Sequence, residues 1–133
     1  MPITICTWNI NSVRLREPIV LDLLKQEKPD VLCLQECKSP TELIPKENFA
    51  ALGYNHMVAR GQKGYNGVAI LSKHLLKDTG HRDFCKKGDA RHVSAQLPNG
   101  VTVQNFYVPA GGDVADREKN EKFGHKLDFL AEM

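Results

Sequence analysis

The chain has 133 residues, 41% of them hydrophobic and 26% charged, a size and balance that suit one modest globular domain rather than two. No apolar run approaches the roughly 18 residues of a membrane span, and Met1-Pro2-Ile3-Thr4 lacks the basic-then-apolar order of a signal peptide, so a membrane is excluded as a partner. Cys6, Cys33, Cys37 and Cys85 have no second Cys/His pair at zinc-finger spacing and read as reduced structural thiols of a cytoplasmic protein.

Ile3 to Trp8 alternates as a strand does, and Asn9-Ile10-Asn11-Ser12 breaks the pattern. Ile19, Val20, Leu23 and Leu24 then recur at helical spacing, predicting a helix from Pro18 to about Gln26, stopped by Pro29. Val31-Leu32-Cys33-Leu34 is a short continuous apolar run, the mark of a strand buried on both faces. Strand, helix and buried strand in this space predict a βαβ unit with parallel strands and a right-handed crossover. A second helix is predicted over Lys46 to Leu52, ended by Gly53, and a strand over Tyr54 to Arg60. Gly61-Gln62-Lys63-Gly64-Tyr65-Asn66-Gly67 is a turn-rich loop, and Val68 to Ser72 a further strand. Residues 73–90 are polar and basic and read mostly as loop. Arg91 to Leu97 and Val101 to Tyr107 read as strands around a Pro98-Asn99-Gly100 hairpin turn. Phe123, Leu127 and Leu130 mark a final helix, and the chain stops there with no following strand, which predicts a truncated α/β unit.

Net charge is only +2, but its distribution is uneven. Arg60 to Arg91 carries eight Lys/Arg against three Asp, a local +5 that could contact phosphates or equally form a solvated loop surface.

In open α/β sheets ligands bind beyond the carboxyl ends of the parallel strands. Asn9 and Glu36 follow the two strands of the βαβ unit. They would deliver an amide and a carboxylate, both hard oxygen donors of the kind Mg²⁺ takes, to one rim. A lone Glu at a strand end serves equally well as a helix cap or ion-pair partner. Tyr107 ends another strand at the same kind of rim and reads either as a half-buried aromatic or as a phenol that donates to a phosphate. Arg91, beside the basic loop, can pair with Asp89 or bind phosphate through its planar fork. The five histidines show neither ligand nor triad spacing, and no P-loop or Gly-x-Gly-x-x-Gly run is present.

Four segments, in order, resemble motifs of one family. They are Thr7-Trp8-Asn9-Ile10-Asn11-Ser12-Val13-Arg14, Pro29 to Lys38 centred on Leu34-Gln35-Glu36, Gly61 to Ile70, and Asn105-Phe106-Tyr107-Val108-Pro109-Ala110-Gly111. Each is weak alone. Together they resemble the exonuclease III and abasic-site endonuclease group of the endonuclease–exonuclease–phosphatase superfamily, most closely its bacterial branch. The resemblance implies that Glu36 is the metal-binding carboxylate, with Asn9 supporting the metal and Lys38 lying behind the site. Tyr107 would contact the scissile phosphate. Arg91, Gly64 and Tyr65 would touch the DNA backbone, and Asn11 stands where some relatives carry Asp. The implied cofactor is Mg²⁺, with Mn²⁺ as a substitute. The implied substrate is double-stranded DNA at abasic sites and 3′ ends, and the implied complete enzyme is a monomer.

The family's domain is about twice as long, and its second half carries an Asp-x-Asn motif, a further Asp and an Asp–His pair with no counterpart here. The expected fold is therefore half of a four-layer α/β sandwich, a mixed sheet flanked by helices, with each half of the family chain supplying much of one sheet. Residues 1–133 would be the N-terminal half of the domain, exposing a face meant for burial, able to self-associate and inactive alone. Two other functions stay open: a non-catalytic half that binds DNA or a complementary chain, and a phosphoesterase of lipid or inositol phosphates.

Overall fold

The computed structural model describes residues 2–133, apart from the side chain of Lys86. Seven strands and three helices follow in order: β1 (Ile5–Asn9), α1 (Glu17–Glu27), β2 (Val31–Gln35), α2 (Lys46–Ala50), β3 (His56–Arg60), β4 (Val68–Ser72), β5 (Lys77–Gly80), β6 (His92–Gln96), β7 (Thr102–Phe106) and α3 (Glu121–Glu132). Short 3₁₀ turns occupy Thr41–Leu43 and Phe84–Lys86. No helix among the described residues is long and apolar enough to cross a membrane.

The βαβ unit forms as the sequence predicts. β1 and β2 pair in parallel with Asn9 opposite Gln35, and every residue of β2 is buried. α1 opens with Pro18 in its first turn and closes on Lys28 in the left-handed conformation, immediately before Pro29. β4 and β3 add antiparallel strands, giving the order β1-β2-β4-β3.

The strand period divides β2 and β4 between two cores. Leu32, Leu34, Ala69 and Leu71 face outward to Val20 and Leu24 of α1 and Phe49 of α2. Val31, Cys33, Val68 and Ile70 face inward to Val93, Ala95, Leu97 and Val103 of a second sheet. At about 25 cal/mol per Å² of apolar surface, these two interfaces supply most of the drive for folding. The cysteines are free, and burial pushes the thiols of Cys33 and Cys37 up to about 11 and about 12, as for inert core residues.

That second sheet, ordered β5-β6-β7, corrects two expectations. The 73–90 segment is not all loop, because Lys77–Gly80 is strand β5. Its sequence, Lys-Asp-Thr-Gly, is polar and mostly exposed, so it carries no apolar alternation. Backbone pairing with β6 and a 2.6 Å Thr79–Ser94 hydroxyl bond hold it in place. Nor does the chain contribute to one sheet alone: it builds strands of both. The far side of the second sheet is closed by Phe129 of α3 and Phe84, which meet at 4.5 Å, and by His92 stacked on Phe106 at 4.7 Å. The order is helices, sheet, sheet, helix, which makes four layers within this chain.

The β6–β7 hairpin turns at Pro98-Asn99-Gly100, where Gly100 takes φ +89° and Asn99 accepts from the Val101 N–H. One face of β1 stays uncovered: Ile5 is 47% exposed, in a slot it shares with Thr7, Cys33, Val101 and Val103.

At the opposite end from Asn9, Asp30 ties the start of β1 to β2. Its carboxylate accepts from the Thr4 N–H and pairs with His74 Nε2, both at 2.8 Å. The His74 bond first, and the Thr4 bond second, hold this carboxyl below its ordinary value of 3.8. A depressed carboxylate stabilises the fold above its unfolded value, and that stability is lost as pH falls through the folded one. The stability of Asp30→Asn against denaturant should therefore fall less steeply from about pH 5 to pH 2 than that of the wild type. Parallel curves would show that Asp30 contributes nothing to acid sensitivity.

Candidate active site

Beyond the carboxyl ends of β1 and β2, three loops continue the sheet through backbone bonds. Ser12 N donates to Glu36 O at 2.8 Å and Val13 N to Cys37 O at 3.0 Å. On the other side Cys37 N donates to Gly67 O and Lys38 N to Asn66 O. These loops close tightly at a conformational cost. Asn11, Ser12, Glu36, Lys38 and Asn66 all take positive φ, five of the seven non-glycine residues that do so among those described. Non-glycine residues in the left-handed region cost about 1–2 kcal/mol each, and such strain gathers at functional sites.

Glu36 stands at the centre with its side chain a quarter exposed. Lys38 lies behind it, its Nζ 3.9 Å from Glu36 Oε1 and donating at 2.6 Å to Asn11 Oδ1. Asn9 ends β1 beside Gln35, exposed on the same rim.

The second sheet brings the remaining groups. Tyr107 follows β7, with its hydroxyl near enough to Glu36 for the carboxylate to bear on it. Burial pushes this phenol up, Glu36 adds to the rise, and Arg91 opposes it. Arg91 is held three ways: its guanidinium sits 4.6 Å over the Tyr107 ring, Nη1 donates to Tyr107 O at 3.3 Å, and Nε donates to Asp89 at 3.3 Å. Of the two sequence readings of Arg91, the structure shows the pairing with Asp89, and it places that pair at the rim.

The Gly61–Gly67 loop is anchored beside these residues. Gln62 Oε1 accepts from Asn66 Nδ2 and from the Ala90 N–H, and Gly67 N donates to Ala90 O. Gly61 is required where it stands, because a Cβ there would collide with the backbone of Ser39 to Thr41. Gly64 and Tyr65 form the exposed outer part of the loop, with Tyr65 64% exposed. The structure thus gathers Asn9, Asn11, Glu36, Lys38, Arg91 and Tyr107 on one rim, with Gly64 and Tyr65 projecting from the adjoining loop.

Two residues that the sequence reading did not assign to the site lie directly beneath it, Gln35 and Asn105, whose side chains bond across the two sheets at 2.8 Å. Nothing local in the sequence announces a bond between residues 70 positions apart.

The profile of the Endonuclease/Exonuclease/phosphatase family matches residues 6–131. The chain belongs to this family. Exodeoxyribonuclease III of Haemophilus influenzae is 34% identical over 132 residues, which cover 96% of this chain and 48% of that protein. Among solved structures, an AP endonuclease from Archaeoglobus fulgidus superposes with TM-score 0.86 at 38% identity, covering 98% of this chain and 49% of the other. A 3′ phosphatase from Neisseria, solved with a product DNA hairpin, gives TM-score 0.84 at 34% identity, covering 98% and 49%. This member of the family therefore spans about half the length of the relatives it matches.

The donor set suits a hard cation. Among the described residues no group of three or more His, Cys, Asp or Glu converges on one point. Glu36 alone offers a carboxylate, with the Asn9 amide as a neutral oxygen, and Mg²⁺ takes one or two carboxylates and keeps its waters.

Replacing Glu36 by Gly should relieve the left-handed backbone while removing the carboxylate. Glu36→Gly is expected to lose no stability in urea unfolding and to gain up to about 1 kcal/mol. A loss of more than about 1 kcal/mol would mean that the Glu36 side chain supports the fold rather than the site.

Proposed function

We propose that this chain carries the metal- and phosphate-binding part of a Mg²⁺-dependent DNA phosphodiesterase of base-excision repair, an abasic-site endonuclease and 3′→5′ exodeoxyribonuclease on duplex DNA. One observation carries the reading. The Glu36 carboxylate, Tyr107 phenol and Arg91 guanidinium meet at one rim, in a chain 34% identical to an exodeoxyribonuclease III.

Glu36 and Asn9 would hold the cation. Bound there, Mg²⁺ or Mn²⁺ would supply charge neutralisation at the phosphate. The Tyr107 hydroxyl, a phenol and so a donor at neutral pH, donates to a non-bridging phosphate oxygen. Arg91, already stacked and tethered, presents its remaining N–H groups to the same phosphate with little further ordering cost. Lys38, itself bonded to Asn11, faces Glu36 from behind. Gly64 and Tyr65, on the outer loop, would meet the backbone of the duplex, so that affinity falls steeply with salt and depends little on sequence.

A second reading concerns the chain by itself. The uncovered face of β1 and the slot between β1 and β7 favour a chain that needs a complementary half, or a second copy of itself, before it cleaves.

The test joins this chain in one polypeptide to the remaining half of the Haemophilus influenzae relative and presents a duplex with one abasic site. Incision should require Mg²⁺, vanish with EDTA, and drop about 10²–10³-fold in Tyr107→Phe. A folded fusion that spares abasic duplex, or that turns over an inositol phosphate in preference, would overturn the proposal. Equal incision by the 133-residue chain alone would remove the second reading.

A further inference from the structure

Gln35 and Asn105 are buried amides, 9% and 2% exposed, in the apolar layer between the sheets. Burying unpaired amides costs several kcal/mol, yet both N–H groups of each amide and the Asn105 oxygen are hydrogen-bonded. Gln35 Nε2 gives one hydrogen to Thr7 Oγ1 at 2.9 Å and the other to Asn105 Oδ1 at 2.8 Å. Asn105 Nδ2 gives its two hydrogens to Leu34 O at 3.0 Å and Ala69 O at 2.9 Å, the carbonyls of two residues paired across the β2–β4 ladder. One side chain from β7 thus grips the backbone of two strands in the opposite sheet, and a third strand is tied in through Thr7.

Apolar packing holds sheets together but sets their relative position loosely, whereas hydrogen bonds fix it. The site depends on that position. Glu36 is the residue after Gln35 and Tyr107 lies two beyond Asn105, so each rim group is carried by a neighbouring member of the clamp.

We propose that Gln35 and Asn105 are positioning residues, which set the separation between the Glu36 carboxylate and the Tyr107 hydroxyl by locking the two sheets together beneath them. The inference rests on Glu36 being the cation ligand of the proposed function.

The experiment uses the 133-residue chain with ¹³C-labelled tyrosine rings, Mn²⁺ as the probe, and bound Mn²⁺ quantified by electron paramagnetic resonance. Broadening of a ring signal falls with the inverse sixth power of its distance from the ion. Tyr54, hydrogen-bonded to Pro29 O at the other end of β2, serves as internal reference and fold reporter. In the wild type, Mn²⁺ should broaden Tyr107 far more than Tyr54, and Glu36→Gln should abolish this. Asn105→Leu keeps the volume but removes the clamp. A displacement of about 1 Å there should lower Tyr107 broadening per bound Mn²⁺ about threefold, with the Tyr54 signal unchanged. Gln35→Met, which leaves the Asn105 grip intact, should give a smaller loss and carries the test if Asn105→Leu does not fold. Thr7→Val, which keeps the Gln35–Asn105 bond, should match the wild type. Wild-type broadening per bound ion in folded Asn105→Leu or Gln35→Met overturns the positioning role alone. A wild type without Glu36-dependent broadening overturns the site reading and, with it, this inference.

Discussion

The rim exists because two sheets pack face to face. Glu36, Asn9 and Lys38 are delivered by the first sheet, and Tyr107 and Arg91 by the second. Neither sheet brings these five groups together alone. Val31, Cys33, Val68 and Ile70 against Val93, Ala95, Leu97 and Val103 supply the attraction between them. The Gln35–Asn105 bond adds a fixed offset at the end where the functional groups emerge. A purely apolar layer would join the sheets, but without such a bond their relative offset would rest on shape alone.

The same end of the molecule carries its backbone strain. Five left-handed non-glycine residues crowd into the loops after β1, β2 and before β4, each held by bonds to a neighbouring loop. Those bonds extend the β1, β2 and β4 ladders by a few residues past the regular strands and turn the chain sharply, so that Glu36 emerges above the rim. The basic, turn-rich segment from Arg60 to Arg91 is drawn into this arrangement through Gln62 and Ala90. Of its charges, Arg91 lies at the rim over Tyr107, whereas Lys73 donates to Lys28 O at the opposite end of the sheet.

Much of this was legible in the sequence where the signal is local. The βαβ unit followed from the apolar run of β2, the spacing of Ile19, Val20, Leu23 and Leu24, and Pro29. The rim positions of Asn9 and Glu36 followed from the βαβ rule. Strand β5 was not legible, because an exposed edge strand of Lys-Asp-Thr-Gly owes its form to its partner β6 rather than to its own side chains. The His92 environment was hidden for a related reason: polar neighbours in sequence gave no sign that Phe84 and Phe106 would pack on it, with Phe129 against both of them. The division into sheets was misjudged, since the family resemblance gave the layers but not which strands of this half would fill them. Glu36 carries no residue-level sign of a left-handed backbone, because that conformation is imposed by the loops on either side of it.

The most direct test of the account is a residue-resolved NMR titration of the ¹⁵N-labelled chain with a short duplex that holds a stable abasic-site analogue, in Mg²⁺. Shifts should concentrate on Asn9 to Asn11, Glu36 to Lys38, Gly64 to Asn66, Arg91 and Tyr107, and should fade as salt is raised. Shifts centred instead on the Asp30–His74 end, or no shifts at saturating duplex, would contradict the claim that this rim is where the chain meets DNA.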